Sequence, residues 1–425
     1  MFETLRNAWK IPDLRRRILF TIFIIFIFRV GSAITVPFLD PKALKTLMAN
    51  GNTLMGYIDM LTGGAFSRAT IFSMSVTPYI NSSIIIQLLG VAIPALERLT
   101  KEGEVGRKRL AQITRYTTVI LGLLQGLFYY IYLRNSGVLL YSTGFAGVWS
   151  AVTIMACFIA GTALMMWLGE QINDRGIGNG ISILLFAGIV ARGPAIVRSA
   201  VSYWKLGSQY HVLVPLVAIL ALAVVVAIVF MNEAERRIPV QYAKRVVGRK
   251  MYGGQSSFIP IKVTMSGVMP IIFASSIVSI PSMIGQFVST KSWWYKVLNF
   301  FSYNSAVYAI IYFILIIGFN FFYVTIQYNP IEISNNLKKN NGGIPGIRPG
   351  KPTSDYIQRV LSRVTLIGAI FLAIIAVLPI ALNAGANMNI ALGGTTILIV
   401  VGVAVETARQ LESMMMMRHY KGFLE

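Results

Sequence analysis

Ten apolar stretches of about twenty residues punctuate the chain, at roughly 18–36, 70–93, 116–133, 148–168, 181–199, 212–231, 268–288, 306–326, 364–382 and 390–408. A helix rising 1.5 Å per residue needs about twenty apolar residues to cross a hydrocarbon core of about 30 Å. Lipid offers no partner to backbone N–H and C=O groups, so only helices and closed barrels can span it. Barrel strands would alternate over about ten residues, whereas these stretches are continuous and twice as long. The pattern predicts an all-α polytopic membrane protein with ten transmembrane helices.

The ten are unequal. The sixth and ninth are uniformly apolar. The second carries Ser73, Ser75, Thr77, Pro78, Asn81, Ser82, Ser83 and Gln87, and the fifth reaches Arg192 after about eleven apolar positions. The seventh carries Pro270, Ser275, Ser276, Ser279 and Pro281, and the tenth opens on Gly393, Gly394, Thr395 and Thr396. Divided into halves at 1–205 and 206–425, the chain places its weak spans second and fifth in each. Five spans per half force the second half to insert inverted. Weak segments at matching positions of inverted, pseudo-symmetric halves point to a central pathway. The competing reading is a bundle interior glued by small polar residues. Residues 57–74 are helical in pattern but too short to span, and Gly63 and Gly64 permit a bend. This segment is either re-entrant from outside or an interfacial helix.

Composition adds a partner question. Hydrophobic residues make up 55% and charged residues 13%, yet the net charge is +22. In a soluble protein that charge would suggest nucleic acid. Here 28 of the 38 lysines and arginines fall on the side of the N-terminus, as expected of cytoplasmic loops with both termini inside. The basic N-terminus leads into a first span without a small-residue cleavage site, so that span reads as retained. Arg29 within it reads as a residue that snorkels to the outer face.

Chemistry is sparse. Cys157 is alone and His211 and His419 are far apart; no HExxH, metal-ligand cluster or phosphate loop is present. No catalytic residue, metal or cofactor is expected. Only Glu406 falls within a span, near its inner end, whereas ion-coupled carriers place ionisable groups at membrane depth. A secondary transporter with inverted repeats is therefore the lesser alternative. An apolar pathway closes to water and ions by dewetting and carries no code for one solute, which suits a conduit for varied cargo. The loops 232–267 and 327–363 mix basic residues with Gly, Pro and aromatics and are longer than connection requires. They suit an acidic protein or nucleic-acid phosphates, or serve topology alone.

Several stretches carry a resemblance. Trp167-Leu-Gly-Glu-Gln-Ile-Asn-Asp-Arg-Gly-Ile-Gly-Asn-Gly-Ile-Ser182, Ser67-Arg-Ala-Thr-Ile-Phe72 and Thr77-Pro-Tyr-Ile-Asn-Ser-Ser-Ile-Ile-Ile-Gln-Leu-Leu89 resemble the SecY family, as do Pro345-Gly-Ile-Arg-Pro-Gly350 and Gly393-Gly-Thr-Thr396. The likeness runs in order along essentially the whole chain. It implies a plasma-membrane channel that passes unfolded secretory polypeptides and releases apolar segments sideways into lipid, through an hourglass pore between the halves. The implied ring is Val76, Ile80, Ile181, Leu185, Ile272 and Ile399, with Val76 and Leu185 departing from the common isoleucine. Residues 57–74 correspond to the plug, through Leu61, Gly63, Gly64, Phe66 and Arg68. A lateral gate between spans two and three and spans seven and eight would hold Gln87, Gln125 and Ser276. Arg249, Lys250 and Arg348 would meet the SecA motor or ribosomal RNA. Further implied partners are the small membrane subunits SecE and SecG, signal peptides, nascent chains and membrane lipid.

Overall fold

The computed structural model describes residues 6–421 apart from 7, 41, 45, 47–58, 60–61, 142, 206, 243–244, 248–249, 253–255, 286–292, 294–297, 299–304 and 387–393. Each of the ten predicted stretches holds a helix. We number them α1 (Pro12–Gly31), α2 (Thr77–Ala92), α3 (Pro94–Lys101), α4 (Glu104–Asn135), α5 (Gly144–Arg175), α6 (Gly180–Ala191), α7 (Gly193–Lys205) and α8 (Ser208–Glu233). The rest are α9 (Met269–Gly285), α10 (Ala306–Gln327), α11 (Pro330–Lys339), α12 (Lys351–Ala386) and α13 (Gly394–Lys421). Among the described residues six helical runs are long and apolar enough to cross a bilayer unaided. They fall on α4, α5, α6 with α7, α8, α10 with α11, and α12.

The helices overrun several predicted bounds. The stretch 94–115, between the second and third apolar stretches, is largely helical: Pro94 lacks a backbone donor and deflects its neighbour into extended backbone. Ile93 accordingly sits at φ −105°, ψ 114°. The chain bends by 106° into α3 and returns in α4. At the fifth span, α6 ends before Arg192 and α7 begins at Gly193, so the basic residue marks a break, yet the run is apolar enough to cross. The expectation of a weak fifth span is met by its interruption, not by its composition.

The long basic loops hold strands as well as connectors. Glu235–Tyr242 (β1) pairs antiparallel with Ser256–Lys262 (β4), and Arg245–Val247 (β2) pairs with Lys250–Tyr252 (β3). Gly342–Gly343 (β5), from the other loop, pairs with the end of β1, which gives the sheet order β4-β1-β5. Alternating Ile238 and Val240 point into a small core with Ile261, Leu337, Ile344, Ile357 and Leu361, the period-2 pattern of a strand with one covered face. The two loops are thus one platform.

Three apolar clusters organise the helical body. One draws only on residues from Val36 to Phe158, and another only on Val224 to Val405. A third joins α1, the segment before α2, α2, α5, α6, α9 and α13. This shared cluster holds the candidate site.

Candidate channel constriction and plug

All six ring candidates meet in the shared cluster. Val76, Ile80, Leu185 and Ile399 are buried there, with Ile181 and Ile272 half-buried against them. They arrive from the residue before α2 and from helices α2, α6, α9 and α13. Val76 is not inside the second span as expected; it is the N-cap residue of α2, at φ −92°, ψ 5°. Pro78 explains the late start, since proline favours the first helical turn and Ser75 before it has φ +51°.

The signature after the fourth span positions α6. Asn173 Oδ1 accepts from the Gly180 N–H at 2.7 Å, and Asn179 caps the helix by accepting from the Ser182 N–H at 3.3 Å. Thr21 of α1 accepts from the Ile177 N–H at 3.1 Å, and Arg17 donates to the Gly176 carbonyl at 3.4 Å. A Cβ on Gly180 would lie 1.9 Å from the Gly169 carbonyl oxygen. That contact requires glycine and sets Ile181 and Leu185 at a fixed depth against α5.

The predicted plug differs from its helical pattern. Leu61 lies outside the described residues. Residues 62–76 form a succession of turns, because Gly63 (φ +66°), Gly64 (φ +86°), Ala69 (φ +48°) and Ser75 (φ +51°) leave helical backbone. A Cβ on Gly63 would stand 2.7 Å from the Gly188 carbonyl oxygen of α6. Phe66 is buried and its ring stacks on Tyr129 of α4 at 4.6 Å between centroids. The Tyr129 hydroxyl donates to the Phe66 carbonyl at 3.3 Å. Arg68 is exposed. The far end of the segment is pinned to the chain after α1. Val36 N–H donates to the Ala69 carbonyl at 2.8 Å and Ile71 N–H to the Ile34 carbonyl at 3.1 Å.

An ion pair here has no forerunner in the sequence reading. Arg192, at the break between α6 and α7, donates from Nη2 to Asp59 Oδ2. Asp59 Oδ1 accepts from the Ser67 N–H at 2.7 Å, and its carbonyl accepts from the Gly64 N–H at 2.8 Å. The pattern marks Arg192 only as the residue that follows about eleven apolar positions of the fifth span.

The gate and docking candidates are less assembled. Gln87, Gln125 and Ser276 lie half-buried on α2, α4 and α9, and α2 touches α9 directly. No hydrogen bond joins any two of the three among the described residues. Gln87 donates instead to Ser83 in its own helix at 3.2 Å. Arg249 lies outside the described residues, and Lys250 opens β3. Arg348 is exposed beside the platform, and its carbonyl accepts from the Thr353 hydroxyl at 2.8 Å. On the same platform Arg237 lies 4.8 Å from the Phe258 ring centroid. Burial and the nearby Arg409 guanidinium hold Lys262 below its usual lysine range, against the pull of Glu235 and Glu406.

Known proteins supply the family. The SecY sequence profile matches residues 70–408. The chain is 43% identical to the protein translocase subunit SecY of Thermotoga maritima, over all of this chain and 98% of that one. It is 44% identical to the SecY of Streptomyces coelicolor over the full length of both. In fold it resembles a solved protein-conducting channel with a TM-score of 0.63 at 17% identity, covering 96% of each chain. A channel from a canine ribosome complex of the endoplasmic reticulum matches over the same shares at a TM-score of 0.59. A multi-pass helical membrane protein with this full-length likeness belongs to the SecY family of protein translocase channels.

Proposed function

We propose that polypeptide passes through the shared apolar cluster, with Val76, Ile80, Ile181, Leu185, Ile272 and Ile399 as the sealing ring and the segment around Gly63–Phe66 as the plug. The observation that carries this reading is the convergence of all six residues, from four separate helices and one junction, in one cluster. Apolar side chains there exclude water and ions at rest and yield to a chain of any sequence. The halves 1–205 and 206–425 act as inverted units, and the contact of α2 with α9 is the seam through which apolar segments leave for lipid, flanked by Gln87, Gln125 and Ser276. Both termini and the β-platform face the cytoplasm of the cell that holds this chain in its plasma membrane. Energy comes from partners: a SecA-type motor or a ribosome docks on the platform near Arg249, Lys250 and Arg348, and SecE- and SecG-type subunits complete the channel. A solved structure of the same fold comes from a ribosome–channel complex, which supports a ribosome as one such partner.

Vesicles holding the chain with its small subunits test this. Import of an unfolded secretory precursor is expected only with motor and ATP. Ile399→Asn is expected to raise ion conductance at rest, because Ile399 is 3% exposed and a polar side chain there lowers the dewetting barrier. Gradient-driven uptake of a small solute without precursor import would overturn the reading.

A further inference from the structure

We infer that Asp59 and Arg192 form an electrostatic latch that holds the plug seated, so that this pair sets how strong a signal sequence must be to open the channel. The inference rests on the plug reading above. Asp59 is 3% exposed, and a buried carboxylate without a partner is costly. Its partners come from two sources. Within the segment it accepts from Ser67, and its carbonyl takes Gly64 N–H and the Thr62 hydroxyl at 3.0 Å. Across the gap its carboxylate forms an ion pair with the Arg192 guanidinium. The first set moves with the segment. The second is lost when the segment leaves α6.

Arg192 is placed for this task. It stands at φ −86°, ψ −8°, where α6 ends, with its N–H donating to the Ile189 carbonyl at 3.0 Å. A Cβ on Gly64 would lie 3.6 Å from Arg192 Nε, so the guanidinium lies along the glycine pair. The remaining restraints divide the segment. Ala69 and Ile71 are tied to the chain after α1 by backbone bonds and the Phe66 carbonyl to the Tyr129 hydroxyl of α4, whereas Gly63 and Gly64 approach α6 and Arg192 closely, with no side chain to grip. The ion pair is therefore the polar restraint on the part of the plug nearest α6.

The two partners are not equivalent. The Arg192 side chain is 25% exposed and that of Asp59 5%. Removing Arg192 strands a buried charge and favours any state in which Asp59 reaches water. Removing the charge of Asp59 leaves an arginine that water already reaches. A one-sided cycle follows. Channels of the full chain with its small subunits are reconstituted as wild type, Arg192→Gln, Arg192→Lys, Asp59→Asn and Arg192→Gln/Asp59→Asn. Precursor-free ion conductance is read in planar bilayers, and import of a precursor with a crippled signal sequence in vesicles.

Arg192→Gln is expected to raise both about tenfold, the factor for a loss of about 1.4 kcal/mol. Asp59→Asn raises them less, Arg192→Lys stays near wild type, and the double variant falls back to the level of Asp59→Asn. A double variant as leaky as Arg192→Gln or more so overturns the latch, since Arg192 would then act without Asp59. If Ile80→Asn and Gly63→Ala leak while Arg192→Gln does not, the latch alone fails. If none of the three leaks, the plug reading fails with it.

Discussion

Gly63→Ala probes the seating of the proposed plug through backbone geometry alone. Gly63 has φ +66°, and an L-residue in left-handed backbone costs about 1–2 kcal/mol. Its new Cβ would stand 2.7 Å from the Gly188 carbonyl oxygen and 2.9 Å from Gly188 Cα. Both are backbone atoms of α6, so no rotamer change relieves the overlap; the segment must lift. With about 1.4 kcal/mol per factor of ten, strain of about 1–2 kcal/mol moves the balance of seated and displaced plug about 5- to 30-fold, and the overlap adds to it. Precursor-free conductance in planar bilayers reads that balance. Gly137→Ala is the control: Gly137 has φ +70°, and a Cβ added there would meet no atom within 4 Å. It carries the same backbone cost in a distant turn and is expected to lower thermal stability without leak. Equal conductance for folded Gly63→Ala and Gly137→Ala would refute the argument that this contact seats the plug.

Three further outcomes concern the platform and one helix contact. Arg348→Glu is expected to cut motor-driven import several-fold and leave resting conductance unchanged, because the side chain is exposed and distant in sequence from every ring residue; assays at rising salt should narrow the gap. Asn329→Ala removes the cap that accepts from Ile331 and Glu332 N–H at 3.1 and 3.4 Å. It should cost about 1 kcal/mol, seen as a lower melting temperature in detergent and earlier proteolysis between 330 and 350. Asn320 is buried, accepting from the Ser266 hydroxyl at 2.7 Å while its Nδ2 has no partner. Asn320→Leu should destabilise by about 1–3 kcal/mol by stranding Ser266, and Ser266→Ala/Asn320→Leu should recover most of it.

The helices were legible because lipid imposes a length and an apolar content that few other structures need. Their ends were less legible. Polar turns such as 104–115 and 351–363 continue as helix beyond the apolar window, since backbone hydrogen bonding persists after the hydrophobic signal stops. The strands of the platform were missed for a related reason. In residues 232–267 charge and Gly/Pro content dominate the pattern, while the strand signal lies in the alternation of Ile238, Val240, Ile259 and Ile261 around Pro239 and Pro260. The ring came from motif likeness, because an apolar side chain in an apolar helix carries no local mark. The Asp59–Arg192 pair was open to inspection: a lone arginine ending an eleven-residue apolar run, and the one carboxylate in 57–74. Nothing short of the fold joins residues so far apart.

The uneven spans are the ones that carry the six ring candidates into one cluster, and the structure gives a reason. Every ring candidate lies at or within the first two turns of its helix: Val76 and Ile80 for α2, Ile181 and Leu185 for α6, Ile272 for α9, Ile399 for α13. Where they are described, the segments leading into these helices are turns rather than helix, at 62–76, 176–179 and 263–268. Irregular backbone is tolerated in a membrane protein only where protein buries it or a cavity hydrates it. Helices that start at such breaks must therefore gather at the centre, while α4, α8 and α10, whose apolar windows are mostly uncovered, can face lipid. The Ser, Thr, Pro and Gly residues that weakened the predicted spans are those that end or begin a helix. The side chains just beyond them face one another, and in this chain those are valine, leucine and isoleucine. The proposed constriction, built at helix starts, moves when any of the four helices shifts, without unfolding one. That is what a pore closed at rest and opened by its cargo requires.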